Sequence, residues 1–164
     1  MATEGVNLSD FNPESLPPVE DMGFGIITAD WNNDITDNLE KGAIDTLKSL
    51  GVSERNILTQ RVPGSLELVF AAKHMAENAH IPSAIIIIGS VIRGQTAHFD
   101  YVCQSVFQGL ALLNTQLTIP VIGCVLTDDT RQQSIDRSGG IHGNKGVEAA
   151  VAAVRMAAIA DKRY

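Results

Sequence analysis

Ala84-Ile85-Ile86-Ile87-Ile88 decides the fold. Successive side chains of a strand point to opposite faces, so four consecutive isoleucines demand an apolar cover on both. That is the pattern of a central parallel strand between two layers of helix. Working outward, shorter apolar runs occur at Phe24-Gly25-Ile26-Ile27, at Ile57 to Val62 and at Val121 to Leu126. The second of these carries Thr59, Gln60 and Arg61, which places it at an edge. Helical stripes lie between the runs. Ile35, Leu39, Ala43, Leu47 and Leu50 form one, with Gly51 at the position after its last turn. Leu66, Val69 and Phe70 open a second directly after Pro63-Gly64. Val102, Val106, Leu110, Leu113 and Leu117 make a third, closed by Pro120. A short helix is predicted from Thr130 to Arg137, capped by Asp128 or Asp129. The last, with Val147, Val151, Val154 and Ala158, opens after Gly143-Asn144. Strand and helix thus alternate four times, and right-handed crossovers give a three-layer α/β/α sandwich on a four-stranded parallel sheet.

The chain of 164 residues fits a single α/β domain over residues 22–164. Residues 1–21 hold Pro13, Pro17 and Pro18 among Asn, Ser and acidic residues, and read as an extended N-terminal arm ordered only when something holds it. No apolar stretch approaches the roughly 18 residues needed to cross a bilayer. The start has no basic region leading into an apolar segment, so no secretion signal is expected. Cys103 and Cys124 lack metal-ligand spacing and read as buried, reduced thiols of a cytoplasmic protein. The formal charge of −7, from 12 Lys+Arg against 19 Asp+Glu, argues against nucleic acid and anionic membranes as partners. A small anionic substrate remains possible, since one or two cations and some backbone N–H groups suffice for it.

In such sheets ligands sit beyond the carboxyl ends of the strands, so the loops at 28–36, 62–67, 89–99 and 126–131 come into question. The first holds the only tryptophan, Trp31, between Asp30 and Asn32. It is either a core aromatic or a ring that stacks on a flat heterocycle. In Pro63-Gly64-Ser65-Leu66-Glu67, Glu67 either complements a helix dipole or accepts hydrogen bonds from a polyol. Gly89 to Tyr101 follows the central strand and enters a long helix. Gly94 frees the backbone, and Gln95, Thr96 and Ala97 bring N–H groups to the helix start, a ready anion site. His98 beside it can move a proton near neutral pH, whereas His74, His80 and His142 read as surface or packing residues. Arg137 and Lys145, set among glycines, are surface charges or the cations that neutralise a phosphate.

Taken in order, Val62-Pro63-Gly64-Ser65-Leu66-Glu67, Gly89-Ser90-Val91-Ile92-Arg93-Gly94-Gln95-Thr96-Ala97-His98-Phe99-Asp100, Arg137-Ser138-Gly139 and Gly143-Asn144-Lys145-Gly146 closely resemble the lumazine synthase family, over about residues 23 to 160. The resemblance implies a flavodoxin-like fold and an enzyme without metal or cofactor. It implies a transferase reaction, the condensation of 5-amino-6-ribitylaminouracil with 3,4-dihydroxy-2-butanone 4-phosphate to 6,7-dimethyl-8-ribityllumazine, releasing phosphate and water. Carried over by motif, Trp31 would stack on the pyrimidine. Asn32, Ser65, Leu66, Glu67, Ser90, Val91 and Ile92 would line the pyrimidine and ribityl pocket. Gln95 and Thr96 would hold the phosphate through their N–H groups, His98 would shuttle protons, Arg137 would pair with the phosphate, and Lys145 would lie close by.

Two positions depart from the family pattern. Trp31 stands where the family usually has Phe. Near residue 123 the family commonly places a Phe that reaches a neighbouring subunit's pocket, whereas Ile122-Gly123-Cys124 offers only Gly123. The resemblance also implies self-association, as a homopentamer or a sixty-subunit shell, with each pocket shared between neighbours. Two other classes compete. A riboflavin-storing scaffold would not need His98 and Arg137 together. A flavodoxin-like electron carrier would want a Ser- and Thr-rich phosphate loop after the first strand, and Ala29-Asp30-Trp31-Asn32 is not one.

Overall fold

The computed structural model describes residues 10–79 and 82–161, so residues 1–9 of the predicted arm and His80 lie outside it. Four parallel strands, β1 (Phe24–Ala29), β2 (Ile57–Val62), β3 (Ala84–Ile92) and β4 (Val121–Asp128), form one sheet in the order β2-β1-β3-β4. Helices α1 (Asn33–Ser49), α2 (Glu67–Asn78), α3 (His98–Gln116), α4 (Arg131–Arg137) and α5 (Lys145–Ala160) complete it, with a small hairpin of β5 (Ser138–Gly140) and β6 (Gly143–Asn144) between the last two. This is the three-layer, flavodoxin-like sandwich expected.

The isoleucine run explains the layers. Ile86 and Ile88 join Phe24 and Ile26 in a core under α1 and α5, while Ile85 and Ile87 join Ile27 in a second core under α2 and α3. Each of these isoleucines is fully buried, worth roughly 1.5–3 kcal/mol apiece in transfer from water. The strand with the exposed run is indeed at the edge: Leu58 through Arg61 face solvent. Gly51 follows α1 with φ +103, the left-handed turn that ends a helix. Where α5 crosses α1, a Cβ at Gly146 would stand 1.9 Å from the Leu39 carbonyl oxygen, so only glycine permits that approach.

Several local expectations shift. Residues 13–15 form a short 3-10 turn. Val19 and Met22 then pack into the core under α1 and α5, so the end of the predicted arm is held by the chain's own body. Helix α4 is capped by Thr130, not by Asp128 or Asp129. Its hydroxyl accepts from the Gln133 N–H while the Gln133 side chain accepts from the Thr130 N–H, a reciprocal box that outcompetes either aspartate. Cys124 is buried, and loss of hydration pushes its thiol up to about 12. Cys103 is only partly buried, because it lies on the outward flank of α3. His74 stacks on the exposed Phe70 and His142 is exposed, as surface histidines. Among the described residues, no helix is long and apolar enough to cross a membrane, and no cluster of His, Cys, Asp and Glu could hold a metal.

Candidate active site

A cavity of about 440 Å³ opens beyond the carboxyl ends of β1, β2 and β3, beside the reversal of strand order between β1 and β3. That volume falls in the range of small-molecule sites. Three segments wall it: Trp31 and Asn32 after β1, Pro63 to Glu67 after β2, and the end of β3, Ser90 to Ile92, followed by Gly94, Thr96 and His98.

Each wall is held by identifiable contacts. The Asp30 N–H donates to the Val62 carbonyl at 2.8 Å, and Arg61 pairs with Asp30, Asp37 and Glu40, so the ends of β1 and β2 and the side of α1 move together. Burial opposes charge on the Arg61 guanidinium, but its three carboxylate hydrogen bonds win and raise its pKa further. Trp31 emerges from this clamp 72% exposed, which rules out the core reading of the lone tryptophan. Asn32 adopts the left-handed conformation, φ 59, that asparagine tolerates better than other non-glycine residues. Its Nδ2 donates to the Ser90 carbonyl at 2.9 Å, locking the first loop to the third. A Cβ at Gly89 would come within 2.7 Å of Ser65 Oγ, so the glycine lets β3 approach the Pro-Gly turn closely.

The loop after β3 carries the groups with chemistry. Thr96 Oγ1 accepts from the His98 N–H at 3.4 Å, at the start of α3, and the His98 ring is exposed on the cavity rim. Arg93 lies over the Phe99 ring at 4.1 Å and bonds Asp129 and Asp100, which brace the loop from outside; these bonds, Asp100 first, raise its pKa. Gly94 behaves differently from expectation. Its φ is not left-handed and a Cβ there would meet nothing within 4 Å, so neither a turn nor a close approach requires glycine.

The structure therefore brings together Trp31, Asn32, Ser65, Leu66, Glu67, Ser90, Val91, Ile92, Thr96 and His98. It leaves Gln95, Gly123, Arg137 and Lys145 outside the lining of this cavity. Gln95 is exposed beside it. Gly123 lies on β4, at the sheet's edge, over Leu110 and Phe107. Arg137 ends α4, where its Nη1 donates to the Gln133 carbonyl at 2.9 Å. Lys145 pairs with Glu148 at 2.5 Å, close enough to Cys124 for both charges to act on that thiol. Phe99 and Val102 also line the cavity; Val102 opens the apolar stripe of α3, and helical periodicity carries no sign that this edge faces a ligand.

Fold and cavity define an α/β protein that binds a small molecule at the switch point of its sheet, with an imidazole at the rim. The family follows from comparison. Residues 21–161 match the model of the 6,7-dimethyl-8-ribityllumazine synthase family. Proteins with that name from Porphyromonas gingivalis and Flavobacterium johnsoniae are 52% and 51% identical, each over 97% of this chain and over 98% and 83% of their own lengths. The Christiangramia forsetii protein of the same name is 50% identical over 96% of this chain and 94% of its own. The chain belongs to the lumazine synthase family.

Proposed function

We propose that this chain is a 6,7-dimethyl-8-ribityllumazine synthase subunit, joining 5-amino-6-ribitylaminouracil to 3,4-dihydroxy-2-butanone 4-phosphate in the penultimate step of riboflavin biosynthesis. The observation that carries the reading is the cavity itself: an aromatic face at Trp31, a polar wall at Asn32, Ser65 and Glu67, and a proton-transfer group at His98. The indole stacks on the pyrimidine, and the wall accepts the ribityl hydroxyls. An amine must add to a ketone, water must leave, phosphate must be expelled and a ring must close. No step transfers an electron, and the substrate's own amine is the nucleophile. His98 moves protons between the amine, the departing water and the leaving groups. The N–H groups at Gln95 and Thr96 hold the phosphate before the start of α3. Holding both substrates in register supplies much of the remaining rate.

Arg137, Lys145 and Gly123 then belong to the same chemistry through a second copy. We place Arg137 of an adjacent subunit against the phosphate, Lys145 near it and Gly123 opposite Trp31, in a homopentamer or a shell built from pentamers, in the cytoplasm. Trp31, Phe70, Tyr101 and Ile141, each at least 68% exposed, offer apolar side chains that a neighbouring copy could cover. Mixing both substrates with the protein and following product fluorescence and phosphate release tests the function. Product with equimolar phosphate is expected; tight binding without turnover would instead make this a storage scaffold.

A further inference from the structure

Behind the cavity wall, the face of the sheet that packs under α1 and α5 changes character at its carboxyl end. Alternation carries Ile86, Ile88 and then Ser90 onto that face of β3, and Cys124, Leu126 and then Asp128 onto that face of β4. A carboxylate thus stands where the preceding two residues are apolar, with its side chain only 10% exposed. Burying it is unfavourable unless partners compensate. The partners form a chain. Ser134, fully buried, donates to Asp128 Oδ2 at 2.8 Å and lies 3.4 Å from the Ser90 hydroxyl. Asp128 Oδ1 faces Arg137 Nε at 3.8 Å, and Nη1 is held by the Gln133 carbonyl. The Ser90 carbonyl in turn receives Asn32, and the Asp128 carbonyl receives the Arg93 N–H at 2.9 Å. Nη1 is thereby fixed by a hydrogen bond and Nε is drawn toward the carboxylate by charge, while Nη2 has no hydrogen-bond partner among the described residues.

We infer that Asp128 is a positioning residue: the Asp128–Ser134–Ser90 chain aims the free edge of Arg137 at the substrate phosphate and ties that aim to the cavity wall of the same subunit. The inference rests on the phosphate role proposed above for Arg137. A guanidinium hydrogen-bonded at one nitrogen and oriented at another by a buried carboxylate presents its remaining N–H groups in a preferred direction, which favours paired recognition of a phosphate. The nearby carboxylate also lowers the net positive charge there, so a role in aiming and a role as counter-charge predict opposite signs when it is neutralised.

Steady-state kinetics on the intact assembly separate them. Asp128→Asn keeps the shape and should raise KM for the butanone phosphate, and the inhibition constant of inorganic phosphate, about fivefold, with KM for the ribitylaminouracil within about twofold. Ser134→Ala, which leaves the carboxylate in place, should raise the same two constants about twofold, and carries the test alone if Asp128→Asn does not assemble. Added to Arg137→Ala, either change should weaken phosphate binding no further, since the pair acts as one unit. Unchanged or tighter phosphate binding in both variants, or equal weakening of the two substrates, would overturn the inference. If Arg137→Ala itself leaves phosphate binding intact, the phosphate reading of Arg137 falls with it.

Discussion

The loops around Trp31, Ser65 and His98 and the flank of the molecule built by β4, α4 and α5 around Gly123, Arg137 and Lys145 share residues of the kind a phosphate-eliminating enzyme needs, but they are built differently. The first region is closed by its own hydrogen bonds, from Asn32 to the Ser90 carbonyl and from Asp30 to the Val62 carbonyl. The second holds its cations against carboxylates of the same chain, Asp128 for Arg137 and Glu148 for Lys145, away from the cavity lining. The difference teaches that one chain joins the aromatic, polar and imidazole walls of the cavity by itself. On the function proposed above, Arg137 and Lys145, held by these carboxylates with side chains 26% and 18% exposed, serve the cavity of a neighbouring copy.

Substitutions on the two sides should therefore fail in different ways. The largest effect is expected at His98: His98→Ala should lower kcat by about a hundredfold, at the low end of general acid–base contributions, with both KM values within about twofold. A matching rise in KM would make the ring a binding group instead. Next comes Arg137→Ala, which should raise KM for the butanone phosphate roughly tenfold, as loss of a charge-assisted hydrogen bond does, and leave the ribitylaminouracil alone. Unchanged apparent affinity would remove Arg137 from the phosphate site. Asn32→Ala should cost about 1–2 kcal/mol in urea unfolding, from strain at φ 59 and one lost hydrogen bond, an effect with no counterpart across the molecule. The smallest is Trp31→Phe, expected to weaken riboflavin binding a few-fold by trimming the stacking face. Equal affinity would show that the indole's extra size is idle.

Most of the fold was legible because it follows from alternation and period. The isoleucine run dictated two covered faces, Thr59 to Arg61 marked the edge, and Gly51 marked a helix end. The Thr130–Gln133 box escaped because the capping role was given to the acidic residues before it. The site was legible to the extent that it is local. Motifs on three loops named the residues that one cavity now joins. Local sequence carries no sign of whether Arg137 and Lys145 reach the cavity of their own chain, because that depends on the geometry of β4, α4 and the hairpin. Nor does spacing reveal Asp128–Ser134, since the link to Ser90 crosses 44 positions.

Mixed assemblies test the shared pocket most directly. His98→Ala and Arg137→Ala subunits are unfolded, combined in equal amounts and reassembled, and lumazine formation is measured at butanone phosphate well below its KM, where the parent variants keep about a hundredth and about a tenth of the activity. If every site takes its imidazole from one copy and its guanidinium from the next, about a quarter of the sites pair two intact residues, and about a quarter of the unmodified protein's activity returns. Activity no higher than the average of the two parent variants would contradict a pocket built between subunits.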